Sequence, residues 1–309
     1  MLIDCLKCIF IIALIMIYSI RLLSVIIPII LIPALTFSQT TATINKNSTI
    51  IKGSVIEEIS HMPLPYINIG VIGKPIGTVS DSTGNYSLTI FIENLKDSLQ
   101  LSSVGYAVKR ILIADLIRQN NVPIELKRKP MTLAEVVVNG TNTRTQIIGR
   151  QDSGLLVQVS IHSKYNAKAT IGSEMGMLIN PEKNGAMLKD YNWFISANNF
   201  RKIKFRINIY SVKNGFPDTL IYNKPIYSSV ENFKTGWSKI NLENYHIKLA
   251  GEAVITLQWL EGIMDKDQTP ITRIPASISF SKKCFVRIAS QDVWKKMRVN
   301  FSQFVTVYY

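Results

Sequence analysis

The chain has 309 residues, 47% hydrophobic and 18% charged, a composition that excludes a disordered or low-complexity protein and a length that leaves room for two domains. Its formal net charge is +14, an excess that suits acidic polysaccharide or anionic membrane surfaces, but the densest basic run is only Lys127-Arg128-Lys129. An evenly basic, soluble surface fits that spread better. The cysteines, Cys5, Cys8 and Cys284, are too few for a disulfide framework.

Ile9–Phe37 is apolar and long enough for a membrane span. Pro28 and Pro33 disfavour a lasting transmembrane helix. Read from Met16, the stretch has a basic residue (Arg21), an apolar core (Leu22–Leu35) and small residues in Thr36-Phe37-Ser38, where a signal peptidase cuts. Residues 1–38 are therefore read as a signal peptide, with a retained membrane segment as the alternative and the true start at Met1 or Met16. Cys5 and Cys8 form a C-x-x-C that leaves with the leader, and a zinc site would need a second pair. Cys284, alternating with Phe285, reads as a small buried core residue. Residues 39–48 are polar and read as a flexible lead-in.

Residues 49–138 carry short runs with period-two alternation. Ile67, Ile69 and Val71 share one face of the first, and Tyr86, Leu88 and Ile90 share one face of the next. Between them, Asp81 suits the first corner of a β-turn and Gly84 a position with φ > 0. Further runs follow at Leu99–Val104, Val108–Ile113, Val122–Leu126 and Glu135–Val138, with one short helix expected at Ala114–Gln119. Strands of this length and spacing make an antiparallel sandwich.

The blocks Ile51-Lys52-Gly53-Ser54-Val55, Pro63-Leu64-Pro65-Tyr66-Ile67-Asn68-Ile69 and Gly77 through Leu88 come in that order. Asp97-Ser98-Leu99, Ser102 through Tyr106 and Leu133 through Val138 follow. In this order they resemble the carboxypeptidase regulatory-like domain. The resemblance implies a transthyretin-like sandwich of seven or so strands. In that family the domain is an accessory to peptidases, or stands at the front of TonB-dependent outer-membrane transporters, and has no catalytic residue to carry over.

Residues 139–154, rich in Asn, Thr, Gly and Arg, read as a linker. Residues 155–309 are strand-like again. Phe205, Ile207 and Ile209 alternate with charged or polar residues, and so do Ile255, Leu257 and Trp259. Turn signals stand at Lys213–Asp218, Lys234–Trp237 and Leu249–Glu252. The fold class is thus all-β: two antiparallel sandwiches, transthyretin-like then jelly-roll-like, behind an N-terminal signal segment.

Candidate chemistry is sparse. His61, His162 and His246 stand far apart and outside any H-E-x-x-H, with His246 read into an alternating strand. Gly172-Ser173-Glu174-Met175-Gly176 has the wrong spacing for a nucleophile elbow, and Ser279–Lys282 matches S-x-x-K only in letters. Glu174, Glu182, Asp190 and Glu261 are read in or near turns, and Asp265 with Asp267 in a loop too poor in ligands for calcium. No catalytic residue, cofactor or metal is therefore expected.

The candidate binding residues are aromatic. Tyr191, Trp193, Phe194 and Trp237, near Asn192 and Asn198, could stack on sugar rings, unless the tryptophans plug the core. The expected function is a non-catalytic exported envelope protein acting as an interaction or structural module. The alternatives are a carbohydrate-binding module using those aromatics and an outer-membrane protein with a small C-terminal barrel. The expected place is the periplasm, outer membrane or cell surface. The partner is a protein or glycan, with nucleic acid excluded and membrane contact only through the N-terminal segment if it is not cleaved.

Overall fold

The computed structural model describes residues 48–119, 123–129, 144–154, 157–160, 171–266, 268–281 and 283–309. The expected leader 1–38, nearly all of the lead-in, the Leu133–Val138 block and His162 lie outside the described residues.

The first sandwich contains β1 (Ser48–Glu57), β2 (Asn68–Val71), β3 (Gly77–Val79), β4 (Asn85–Phe91), β5 (Ser98–Ser102), β6 (Lys109–Leu112) and β7 (Ile124–Leu126). One short helix, α1 (Ile113–Arg118), lies between β6 and β7. A three-stranded sheet β4-β1-β7 faces a four-stranded sheet β3-β2-β5-β6. The alternation holds residue by residue in β4, where Tyr86, Leu88 and Ile90 are buried and their neighbours exposed. These side chains meet Ile69, Leu99 and Leu101 from the other sheet, and Ile67 from just before β2, in one core. One ladder departs from the antiparallel expectation: β7 runs parallel to β1, with Val55 opposite Ile124. The chain between β1 and β7 runs through the whole of the other sheet, and this long excursion leaves room for the parallel pairing.

The turn before β4 forms as its residues suggest. Asp81 Oδ1 accepts the backbone N–H of Thr83 at 2.8 Å and of Asn85 at 3.0 Å. Gly84 sits at φ +82°, where a side chain would be strained.

The second sandwich is built from β8 (Thr145–Gly149), β9 (Val157–Ser160), β10 (Glu174–Ile179), β11 (Ala186–Ile195), β12 (Ala197–Asn198), β13 (Lys202–Lys213), β14 (Phe216–Leu220) and β15 (Ile226–Glu231). It continues with β16 (Gly236–Asn241), β17 (Lys248–Leu249), β18 (Ala253–Ile263), β19 (Thr272–Ile278), β20 (Cys284–Arg287), β21 (Lys295–Met297), β22 (Val299–Phe301) and β23 (Gln303–Tyr308). A seven-stranded sheet has the path β14-β13-β18-β10-β20-β21, with β15 also on β13. Opposite it lie a five-stranded sheet, β16-β11-β23-β8 with β17 on β11, and a four-stranded sheet of β9, β12, β19 and β22. The core between them holds Trp193, Phe200, Phe205, Trp259 and Phe301. Edge-to-face contacts of Trp259 with Phe200 at 5.1 Å and with Phe205 at 5.5 Å fix its middle.

Three expectations change here. The stretch 139–154 is not all linker, because Thr145–Gly149 is β8, paired antiparallel with the terminal strand β23. Without it, β23 would present an unpaired backbone edge. Phe216-Pro217-Asp218 belongs to strand β14 rather than to the turn, with Pro217 on a strand at the sheet margin, where its missing N–H is tolerated. The terminal aromatic strand does not close a small barrel. Val305 and Val307 point into the packed apolar core between the sheets, so the described strands enclose side chains rather than the polar lumen of a transmembrane barrel.

Candidate functional site

The four candidate stacking residues divide by strand parity. A bulge between Leu188 and Asp190 resets β11, after which Tyr191, Trp193 and Ile195 face inward. Tyr191 and Trp193 are 0% exposed, with Trp193 edge-on to Phe205 at 6.2 Å. Neither can stack on a ligand outside the molecule, and their part in a glycan platform is corrected to a core role. Phe194 and Trp237 face the other way and stand directly opposite each other on β11 and β16. Trp237 packs edge-on to Phe194 at 5.3 Å and to Phe304 at 5.0 Å. Phe304, on β23, was not singled out from the sequence, because one aromatic in a terminal strand carries no signal of its face.

Polar groups border this triad. Asn192 stands opposite both Lys239 and Phe304. Its Nδ2 donates to Asp190 Oδ1 at 2.6 Å, and Lys239 Nζ lies 2.9 Å from Asp190 Oδ2. Asn192 is buried, whereas Lys239 is exposed, and aromatic faces beside an ammonium can hold a polar, ring-shaped ligand.

A second constellation lies between the two sandwiches, and the sequence reading did not bring its members together. Odd-numbered residues of β13 fill the core, so Lys204, Arg206, Asn208 and Tyr210 stand on the opposite face of the seven-stranded sheet. Glu174 on β10, Thr256 and Gln258 on β18 and Arg287 on β20 join them through the registers Glu174↔Gln258, Arg206↔Gln258 and Glu174↔Arg287. This face is covered. Arg206 is only 4% exposed, and the Glu174 side chain 0%. Glu174 accepts from Arg287 Nε at 2.8 Å, Asn208 Nδ2 at 2.8 Å, Tyr210 Oη at 3.0 Å and Thr256 Oγ1.

Arg206 reaches across to the first sandwich. It donates to the Tyr66 carbonyl at 2.8 Å, to Asn68 Oδ1 at 2.6 Å and to Gln258 Oε1 at 3.0 Å. Gln258 Nε2 also donates to Asn68 Oδ1, at 2.9 Å. The two cations are poised differently. Burial pushes the Arg206 guanidinium below its usual pKa. Burial acts the same way on Arg287, but Glu174 and Tyr210 beside it outweigh that and raise it. Burial also raises the Tyr210 phenol, with the Glu174 charge adding to it and Arg287 opposing.

The loop after β20 completes the junction. The Ser290 backbone lies on Gly70 and Gly77, which are paired across β2 and β3. Gln291, at φ +69°, accepts from Gln100 Nε2 at 2.8 Å and donates to Ser102 Oγ at 2.7 Å.

A cavity of about 330 Å³ opens where β8, β10, β20 and the β22–β23 corner converge. Arg150, Asn180, Lys283, Asn300 and Gln303 line it with polar groups, and Met177, Cys284 and Phe301 with apolar ones. Gln303 is fully buried, and neither polar atom of its amide has a hydrogen-bond partner among the described residues. The orphans continue along the inner face of the sheet. Trp193 is the cross-strand neighbour of Gln303 and Ser238 that of Trp193, and Trp193 Nε1 and Ser238 Oγ are likewise buried without partners among the described residues. Each such group left unmade destabilises by about 1–3 kcal/mol.

The remaining sequence candidates lie apart. His61 sits at φ +55° in a turn of the first sandwich, near Glu125 at 3.8 Å. His246 ends a 3₁₀ turn in the left-handed region rather than lying in a strand. Glu174 and Asp190 are buried in strands, not turns. Asp265 pairs with Arg201, and Asp267 lies outside the described residues. Among the described residues, no group of three or more His, Cys, Asp or Glu could hold a metal ion.

Comparison with known proteins bears on the first sandwich. Residues 51–138 match the CarboxypepD_reg-like domain. A stretch of 138 residues, 44% of the chain, is 26% identical to TonB-dependent receptor P3 of Formosa agariphila. The chain spans 13% of that receptor's length. Among solved structures, the cysteine protease and lectin-like domains of Cwp84, a surface layer associated protein of Clostridium difficile, align at TM-score 0.38 and 8% identity. That alignment covers 56% of this chain and 37% of the other. A clostridial Cwp84 cysteine protease variant, solved after propeptide cleavage, aligns at TM-score 0.39 and 8% identity, over 83% and 70%. At scores this low neither likeness assigns a fold or a function.

Proposed function

Because residues 51–138 match the CarboxypepD_reg-like domain, we propose that the chain serves at the cell envelope as a non-catalytic interaction or structural protein. The stretch similar to a TonB-dependent receptor supports an exported, envelope-associated place, as does an N-terminal segment with the layout of a signal peptide. The observation that carries the reading is the junction. Part of the outer face of the β3-β2-β5-β6 sheet, at Asn68, Gly70 and Gly77 and at Tyr66 just before β2, is covered by Arg206, Gln258 and the Ser290 loop. That domain therefore acts as a fixed base for the second sandwich. Fractionation of cells making a tagged chain is expected to place it with the envelope, lacking Leu22–Leu35. Recovery from the cytoplasm overturns the place, and turnover abolished by one side-chain change overturns the non-catalytic role.

The second reading is carbohydrate binding on the outer face of β11, β16 and β23. It is favoured by Trp237 lying between Phe194 and Phe304, next to Lys239 and Asn192. Losing one stacking aromatic typically removes about 1–3 kcal/mol of binding. Trp237→Ala is expected to weaken glycan retention in affinity electrophoresis roughly tenfold or more, and Trp193→Phe to leave it unchanged. Retention indifferent to Trp237 removes this reading.

A further inference from the structure

The geometry points to the cavity beside Gln303 as a binding site for a sugar acid, a compact hydroxylated ring bearing a carboxylate. This site is distinct from the aromatic platform. Gln303 and Phe304 are consecutive in β23 and point to opposite faces of the sheet. Phe304 belongs to the outer triad and Gln303 to the cavity.

The lining dictates the class of ligand. Asn180, Asn300 and Gln303 contribute three carboxamides, each with a donor and an acceptor side by side, the pattern that vicinal hydroxyls complement. Arg150 and Lys283 contribute two cations, and no described lining side chain is acidic. Arg150 already bonds Ser302 Oγ at 2.8 Å and Asp152 at 2.9 Å, whereas Lys283 has no carboxylate partner among the described residues. Phe301 and Met177 offer apolar surface to the C–H face of a ring. A neutral sugar would leave Lys283 unmatched, and a simple aliphatic acid would leave the amides unmatched.

The volume, about 330 Å³, stands at the small end of ligand pockets and suits one ring rather than a chain. The buried amide of Gln303 is the second observation. It opens a row of unpartnered polar atoms that runs on to Trp193 and Ser238. That amide is closed off behind the cavity wall, so a hydroxylated ligand supplies its donor and acceptor only as the Gln303 side chain turns toward the cavity.

Cys284 makes the test direct. It is a free cysteine in the cavity wall, buried, with its thiol pushed up to about 11 by that burial, so it reacts slowly with thiol reagents at neutral pH. The purified full chain would be titrated calorimetrically with glucuronate, galacturonate and their oligomers, and with glucose, acetate and an N-acetylated dipeptide as contrasts. Methanethiosulfonate modification of the Cys284 peptide would be followed by mass spectrometry in parallel.

The expected result is binding of the free uronates or of uronate chain ends, with at least fivefold protection of Cys284. Lys283→Ala, at an exposed position, is expected to weaken that binding tenfold or more, and Trp237→Ala to leave it unchanged. Response to oligomers alone identifies a chain end as the natural ligand. The inference is overturned if no uronate protects Cys284, or if glucose or the dipeptide does so as well. Binding lost in Trp237→Ala but kept in Lys283→Ala also overturns it and moves the ligand to the aromatic platform.

Discussion

Replacing Glu174 with alanine is expected to destabilise the protein by about 3–5 kcal/mol, the range for removing one partner of a buried ion pair. Among the described residues, Glu174 is the carboxylate that bonds Arg287 directly, in a layer that also holds the guanidinium of Arg206, with Arg287 only 11% exposed. Four side chains besides Glu174 depend on it, since Asn208, Tyr210, Thr256 and Arg287 all donate to its two oxygens. Without it, Arg287 keeps the ring of Trp294, 4.6 Å away, but no counter-charge of comparable worth. Glu174→Gln keeps the shape and loses the charge, so it is expected to recover only part of the loss. Replacing Glu174 and Arg287 together by methionine is expected to be milder than either single change, because no lone charge is left buried. Urea midpoints at constant m-value measure all three. A Glu174→Ala loss under about 1 kcal/mol would mean the layer exchanges freely with water, since exposed pairs contribute no more than that.

Alternation makes the strands legible in the sequence and leaves this layer hidden. In β4 the polar neighbours of Tyr86, Leu88 and Ile90 do face water, so period two is enough. In β13 the same pattern sets Phe205, Ile207 and Ile209 against Lys204, Arg206 and Asn208, but the polar face is buried. Alternation shows that a strand has two faces and not whether a second sandwich covers the polar one. The bound between face and core was also lost at one bulge. Trp193 and Phe194 are adjacent and both aromatic, and only the register shift between Leu188 and Asp190 decides which goes inside. Cys284 was legible as core because a lone small apolar residue beside Phe285 has few other uses. The cavity had no signal at all, being assembled from five strands and their ends, with lining residues that run from 148 to 303.

Alanine at Gly70 or Gly77 is expected to separate the two sandwiches without unfolding either core. Both glycines turn the same bare surface of β2 and β3 toward the Ser290 backbone, and a Cβ on either would fall well inside contact distance of the Ser290 carbonyl oxygen. The obstacle is main chain rather than the end of a flexible side chain, so it cannot swing away. The loop is also held close by, through Gly73 N–H to the Gln291 carbonyl at 2.9 Å and through the Gln291 amide to Gln100 and Ser102. Forcing a methyl group into such a contact costs about 1–3 kcal/mol and sometimes more. Relief by displacing the loop would break these bonds and draw Asn68 away from Arg206 and Gln258. Arg206 would then bury its charge with fewer acceptors, a further penalty of about 1.5–3 kcal/mol for each charged hydrogen bond lost. The expected calorimetric signature is one unfolding transition for the parent chain and two for Gly70→Ala, because the junction no longer couples the cores. Ser290→Ala removes only a weak side-chain contact to Asn68, at 3.3 Å, and leaves the backbone in place, so it should keep the single transition. A single, unshifted transition in Gly70→Ala would show that the loop yields freely, and the fixed base proposed for the second sandwich would lose its physical ground.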